Sequence, residues 1–327
     1  MAGRRTRRRD ERQARTARQR VEDPVGQGPL LSRISTDWIV GGIIGGVVLI
    51  AIMVFVVRVV FGGGGSSTMF FAQVFSAAVS PGDSNVRLLG DITGLYRTDD
   101  AGDDWDRVPV TDQPVYTVVN DPANANGFLA AGDGFLARSE DGGLTWQDIV
   151  TDLPSQSLRS LAVDPSDASV IYAYLVSDGL YRSDDAGRTW TLANAVEDAS
   201  ITSLAVKAGA PDVVYAFHTR RGLVRSEDGG KTFRVVVGGI PSSSVASIVT
   251  SATEPESVFA ISGRTIYTSV DDGASWKLTN VGLEQIGVIA IAEDAASGDL
   301  YVSDFQGLFY LSTDRGKSWF PSLNAGG

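Results

Sequence analysis

From Phe75 onward, apolar and polar residues alternate in short runs separated by Gly, Asp, Asn, Ser and Pro. The runs come in a fixed order. A first one reads FSAAVSP, YTVVNDP, RSLAVDP, TSLAVKA, ASIVTSA and GVIAIAE in successive units. A second reads VRLLG, GFLAAG, VIYAYL, VVYAFH, VFAIS and LYVSD, and a third GLYR, GFLAR, GLYR, GLVR, TIYT and GLFYL. A short fourth run follows, such as WTLAN or FRVVV. Period-two alternation bounded by turn residues predicts β-strands, and no part of this region has helical periodicity. Four strands per unit, six times over, predict an all-β fold: a six-bladed β-propeller spanning residues 70–325.

Between the third and fourth runs stands a second repeat. It reads TDDAGDDW, SEDGGLTW, SDDAGRTW, SEDGGKTF, SVDDGASW and STDRGKSW. Its aspartates are Asp100, Asp141, Asp185, Asp228, Asp271 and Asp314, spaced 41, 44, 43, 43 and 43 residues apart. Its terminal aromatics are Trp105, Trp146, Trp190, Phe233, Trp276 and Trp319. A short carboxylate can accept turn N–H groups, the glycine allows a left-handed backbone, and the aromatic can bury itself between sheets. Six copies at equivalent positions cannot all be one active site, so these residues are expected to be structural.

The N-terminal part has a different pattern. Trp38 to Val57 is twenty residues without a charge, long enough at about 1.5 Å per residue to cross a hydrocarbon core of roughly 30 Å. A single transmembrane helix is expected at residues 38–61, with Trp38 and Arg58 at its edges. The run is longer than the apolar core of a cleaved signal peptide. Gly41/Gly45 and Gly42/Gly46 form two overlapping G-x-x-x-G pairs, a face on which two copies could pair as a homodimer. Gly62 to Ser67 opens a flexible linker at residues 62–69.

Charge then sets the topology. Residues 1–37 carry ten Arg and five Asp/Glu, whereas residues 59–327 carry seventeen Lys/Arg against thirty-four Asp/Glu, a net of −17. The arginines suggest nucleic acid or anionic lipid by composition alone, but beside an apolar span they read as a cytoplasmic topology signal. The expectation is a single-pass cell-membrane protein with a basic, cytoplasmic tail at residues 1–37, an extracytoplasmic propeller, lipid contact through residues 38–61 and no nucleic-acid partner. The chain has no cysteine and one histidine, His218, which excludes thiol chemistry and multi-histidine metal sites. No cofactor or metal is expected.

The S-x-D-x-G-x-T-W stretches resemble Asp-box, or BNR, repeats, and the resemblance covers residues 70–325. It implies a propeller but not one function, since such repeats occur in sialidases, other glycosidases, sortilin-like receptors and photosystem II assembly factors. Sialidases have six blades, as counted here, but also an arginine cluster, an early F-R-I-P-like segment and a tyrosine–glutamate pair. Blade one instead reads FFAQVFSAAVSP. The chain is more similar to the non-enzymatic photosystem II assembly and stability factors, in size and in export, although that family's pattern has seven blades.

In an Asp-box blade the boxes share a face with the first–second strand turns. The opposite face, built by the second–third turns, is the expected ligand face. There blades one, two, three and six supply Asp91, Asp133, Asp178 and Asp304, blade four supplies HTRR (His218 to Arg221), and blade five supplies Arg264. These are either solvated turn residues or a binding face on which His218, Arg220, Arg221 and Arg264 stand out against an acidic body. Arg97, Arg138, Arg182 and Arg225 precede four boxes, as blade-edge ion pairs or as a partner-binding stripe. The expected function is an anchored scaffold for another membrane or envelope protein, with a glycoside hydrolase or a cell-surface receptor as the alternatives.

Overall fold

Innermost in the fold are six short strands: Val74–Ser80, Val115–Asn120, Leu158–Asp164, Ile201–Lys207, Val245–Thr250 and Val288–Glu293. Each packs against the next, and the last packs against the first, so the ring closes. Three further strands follow each one outward in chain order, giving six four-stranded antiparallel sheets. Blade one runs Val74–Ser80, Asp83–Asp91, Gly94–Thr98 and Asp106–Val108. Blade six ends on Phe309–Ser312 and Phe320–Pro321. Among the described residues, no strand is exchanged between the first and last blades. This computed structural model describes residues 71–195, 201–238, 240 and 245–322. The tail (1–37), the apolar run (38–61, with Gly41, Gly42, Gly45 and Gly46) and the linker (62–69) lie outside the described residues. Among the described residues, no helix is long and apolar enough to cross a membrane.

The alternating pattern of the sequence becomes the core between blades. Leu88 meets Phe128 between blades one and two, Leu129 meets Ile171 between two and three, and Tyr172 meets Val214 between three and four. Tyr215 and Val258, Phe259 and Val302, and Tyr301 and Leu89 fill the remaining seams. Both faces of each sheet are covered, so the second strands are apolar almost throughout.

The boxes are the turns between third and fourth strands. In blade three the Ser183 hydroxyl donates to Asp185 Oδ1 at 2.8 Å and accepts the Gly187 N–H at 2.9 Å. Asp185 also accepts the Thr189 N–H at 2.8 Å and the Thr189 hydroxyl at 2.7 Å. Two consecutive residues are left-handed there, Ala186 (φ 63°) and Gly187 (φ 90°). Other blades put Asp272 or Arg315 at the first of these positions, but the second is always glycine. At Gly230 a Cβ would come within 2.7 Å of Leu180 on the preceding blade, so steric room adds to the conformational reason.

The aromatics then join neighbouring blades. The Trp190 backbone N–H donates to Asp152 Oδ1 at 2.9 Å, the Trp276 backbone N–H to the Gly238 carbonyl at 3.2 Å and the Trp319 backbone N–H to the Val281 carbonyl at 3.0 Å. Trp105, Trp190, Trp276 and Trp319 are buried, while Trp146 and Phe233 are half-buried against their cores.

Candidate functional site

Each innermost strand has a β-bulge one residue from its start. In blade one Val74 pairs with Asp91 and Ser76 with Gly90, which leaves Phe75 outside the register. The same break falls at Tyr116, Arg159, Thr202, Ala246 and Ile289. A bulge turns its extra side chain away from the normal alternation, and such devices occur beside binding sites. They mark a ring of six equivalent backbone positions at one end of the central channel, on the face carrying the second–third turns, although the Ile289 side chain packs into the core between blades six and one. The channel encloses about 500 Å³, and Phe75, Tyr116, Thr202 and Ala246 line its wall.

The ring is asymmetric. Phe75 and Tyr116 lie 5.1 Å apart at 57°, and the Arg159 guanidinium sits 3.9 Å from the centre of the Tyr116 ring. The Tyr116 hydroxyl donates to Asp133 at 3.1 Å. Burial, together with that carboxylate, pushes the Tyr116 phenol above its ordinary value, while Arg159 opposes the shift. Blades four to six present only Thr202, Ala246 and Ile289. Sequence reasoning passed over Phe75, Tyr116 and Arg159. Their signal was available as an aromatic, aromatic, cation series at one repeat position.

The turn residues expected on this face divide into two groups. Asp91 and Asp304 are buried. Asp91 accepts the N–H groups of Thr93 (2.6 Å), Gly94 (3.1 Å) and Ala72 (3.2 Å), and Asp304 accepts those of Gln306 (2.8 Å) and Leu308 (3.0 Å). Asp91 Oδ1 and Asp304 Oδ1 cap their own turns, and Asp91 Oδ2 is taken by the lead-in segment. Asp133 and Asp178 are half-buried, and Asp178 accepts the Ser155 hydroxyl at 2.5 Å. In blade four an imidazole takes the place of the capping carboxylate. His218 Nδ1 accepts the N–H groups of Arg220 (3.3 Å) and Arg221 (3.2 Å), leaving both side chains exposed. Arg221 reaches back to the Phe233 carbonyl at 2.7 Å. Arg264, left-handed at φ 69°, lies over the Phe305 ring of blade six at 5.9 Å.

The arginines before the boxes are ion-paired. Arg97 meets Asp99 at 3.0 Å, Arg138 meets Asp121 at 3.1 Å and Arg182 meets Asp184 at 2.8 Å, while Arg182 also pairs with Asp212 and Arg225 with Glu227. On the same face Arg315, within the sixth box, meets the buried Glu293 at 3.0 Å.

The family described as Photosynthesis system II assembly factor YCF48 matches residues 77–325. The chain belongs to this family. A xyloglucanase from a Paenibacillus species is 32% identical over 128 residues, covering 31% of this chain and 12% of the relative. The YCF48-family propeller also resembles the GH74 enzyme of Niastella koreensis, with a TM-score of 0.56 at 20% identity over 80% of this chain and 47% of that one. A structure of YCF48 bound to D1 peptide matches with a TM-score of 0.49 at 17% identity, over 79% of this chain and 85% of the other. The chain therefore spans a small part of the xyloglucanase and about half of the GH74 chain, and those likenesses reach no further than the fold.

Proposed function

We propose that this protein is a membrane-anchored, extracytoplasmic propeller that binds a protein partner during assembly of a membrane complex and catalyses nothing. Membership of an assembly-factor family over residues 77–325 supports the scaffold role. The observation that carries the choice of surface is the blade-four turn. His218 does the capping that a carboxylate does elsewhere, so this turn brings two guanidinium groups and no acid. Arg220 and Arg221 then offer bidentate donors to carboxylates of a partner. Tyr116 and Phe75 add apolar area at the neighbouring channel mouth. The anchor is residues 38–61, with the tail cytoplasmic.

The test is affinity capture from membrane extracts with the full-length chain and with Arg220→Glu/Arg221→Glu. Loss of the captured protein in the double variant is expected, and unchanged capture removes this surface.

The likeness to a Paenibacillus xyloglucanase favours a second reading, a glycoside hydrolase. Glycosidases of either stereochemistry canonically use two carboxylates at a set separation. Asp133 and Asp178 are the half-buried candidates on this face. Turnover of xyloglucan oligosaccharides that disappears in Asp133→Asn or Asp178→Asn would establish this reading in place of the first.

A further inference from the structure

Exposed apolar side chains gather where the ring closes. Ile92 lies in the second–third turn of blade one, and Phe305 and Leu308 lie in the same turn of blade six; they are 44%, 50% and 44% exposed. The segment leading into the first strand bridges the two turns. The Gln73 carbonyl accepts the Ile92 N–H at 3.2 Å, the Ala72 N–H donates to Asp91, and the Phe71 ring lies against Gly307. Arg264 stacks on Phe305 and lies over Gly287, and among the described residues no carboxylate pairs with it. The patch itself is poor in negative charge, because Asp91 and Asp304 are buried and capped. Arg107, paired with the exposed Asp112, donates to the Thr93 carbonyl beside Ile92 at 2.8 Å, and the exposed Glu284 lies on the connection from blade five to blade six.

We propose that this patch is a lipid-docking surface. Ile92, Phe305 and Leu308 enter the interfacial zone of a phospholipid bilayer, and Arg264 meets a lipid phosphate. Apolar side chains beside an arginine suit that zone, where the rings and aliphatic groups sit at headgroup depth and a guanidinium binds phosphate through paired N–H groups. The choice of a bilayer over other occupants comes from where the described chain begins. Phe71 is inside the patch, and the uncharged run Trp38–Val57 lies a short way upstream. Residues 62–69 can extend at most about 28 Å. The proposal rests on the reading that residues 38–61 anchor the chain. The body's net charge of −17 opposes approach to anionic lipid in general, which restricts docking to this acid-poor patch.

The chain has no cysteine, so single labels can be placed without background. Full-length Ile92→Cys, Phe305→Cys and Leu308→Cys, each carrying an environment-sensitive fluorophore, are reconstituted into phosphatidylcholine/phosphatidylglycerol vesicles containing spin-labelled lipid. Leu144→Cys, exposed in the second box on the opposite face, is the reference. An unchanged thermal midpoint shows that each variant folds. Quenching of at least twofold at the three patch sites and none at Leu144→Cys is expected, with a smaller effect when Arg264→Glu is added. Incorporated protein with unquenched patch labels overturns the proposal. So do labels that respond only when a membrane-protein extract is added, since the patch then belongs to a protein partner. Quenching unaffected by Arg264→Glu overturns the phosphate contact. A chain that fails to float with the vesicles sinks the anchor reading instead, and the same labels on protein mixed with preformed vesicles still decide the patch.

Discussion

Arg87 and Ser322 join the two ends of the propeller. Arg87 Nη2 donates to the Ser322 hydroxyl at 2.7 Å and Nη1 to the Ser322 carbonyl at 3.3 Å, across 235 residues of sequence. The same guanidinium donates to the carbonyls of Ala101 and Ser84 and lies over the rings of Tyr301 and Phe309. Among the described residues no strand crosses this seam, and side chains hold it. Burial pulls the Arg87 pKa down to about 10, and it remains charged at neutral pH.

Arg87→Ala is expected to lower stability by about 2–3 kcal/mol, because it strands buried carbonyls that a charged donor had satisfied. Arg97→Ala is expected to cost about 1–2 kcal/mol, since it loses one carbonyl partner, Gly142 at 2.8 Å, and a solvent-exposed ion pair with Asp99. Urea midpoints for both variants measure the difference; equal losses would mean that the seam is held elsewhere.

Trp190→Ala is expected to cost about 3–5 kcal/mol. The ring is buried against Ile171 and Leu161, and its indole N–H donates to the Gly187 carbonyl at 2.9 Å. Phe233→Ala, at a half-buried copy of the same position, is expected to cost less in the same denaturation series.

His218→Asp is expected to keep the blade-four turn, because a carboxylate caps the equivalent turn through Asp91 and Asp304. His218→Ala removes the acceptor for two N–H groups and is expected to lose about 1 kcal/mol. Thermal midpoints near that of the parent for the aspartate variant, and a fall only for alanine, would identify the imidazole as a cap.

Acid should weaken the boxes. Thr189 holds the Asp185 carboxyl at about 2, through its N–H and then its hydroxyl. Thr232 and Ser275, each with the hydroxyl ahead of the N–H, hold Asp228 and Asp271 at about 2. These folded-state values lie below the ordinary carboxyl range, so the stability they supply is present above about pH 4 and is lost as pH falls toward 2. Burial moves Glu293 and Asp304 the other way, so those two groups favour the folded state as they take up protons. The thermal midpoint should therefore drop mainly between pH 4 and 2, with a shallower drop in Asp185→Asn/Asp228→Asn/Asp271→Asn.

Protease added outside cells with a permeabilised outer layer is expected to reach residues 71–327 and spare the tail. A protected propeller and a digested tail would reverse the orientation given by the arginines before Trp38.

The sequence alone determined the six blades, their four strands and the turn role of the boxes. A repeat of about 43 residues writes the same local geometry six times: alternation sets the strands, while Asp and Gly set the turn between the third and fourth. It also singled out the blade-four turn, because HTRR breaks the repeat. Only the tertiary structure decided which of the turn carboxylates are buried. Asp91 and Asp304 look like Asp133 and Asp178 in sequence, yet the lead-in segment and the turn amides close over the first pair. Phe75, Tyr116 and Arg159 came together only when bulges in three separate blades brought them into contact, and Arg87 became a closure only when the ring brought Ser322 to it. Such contacts join residues tens to hundreds of positions apart, and no local pattern encodes which side chains the closing of a ring will place together.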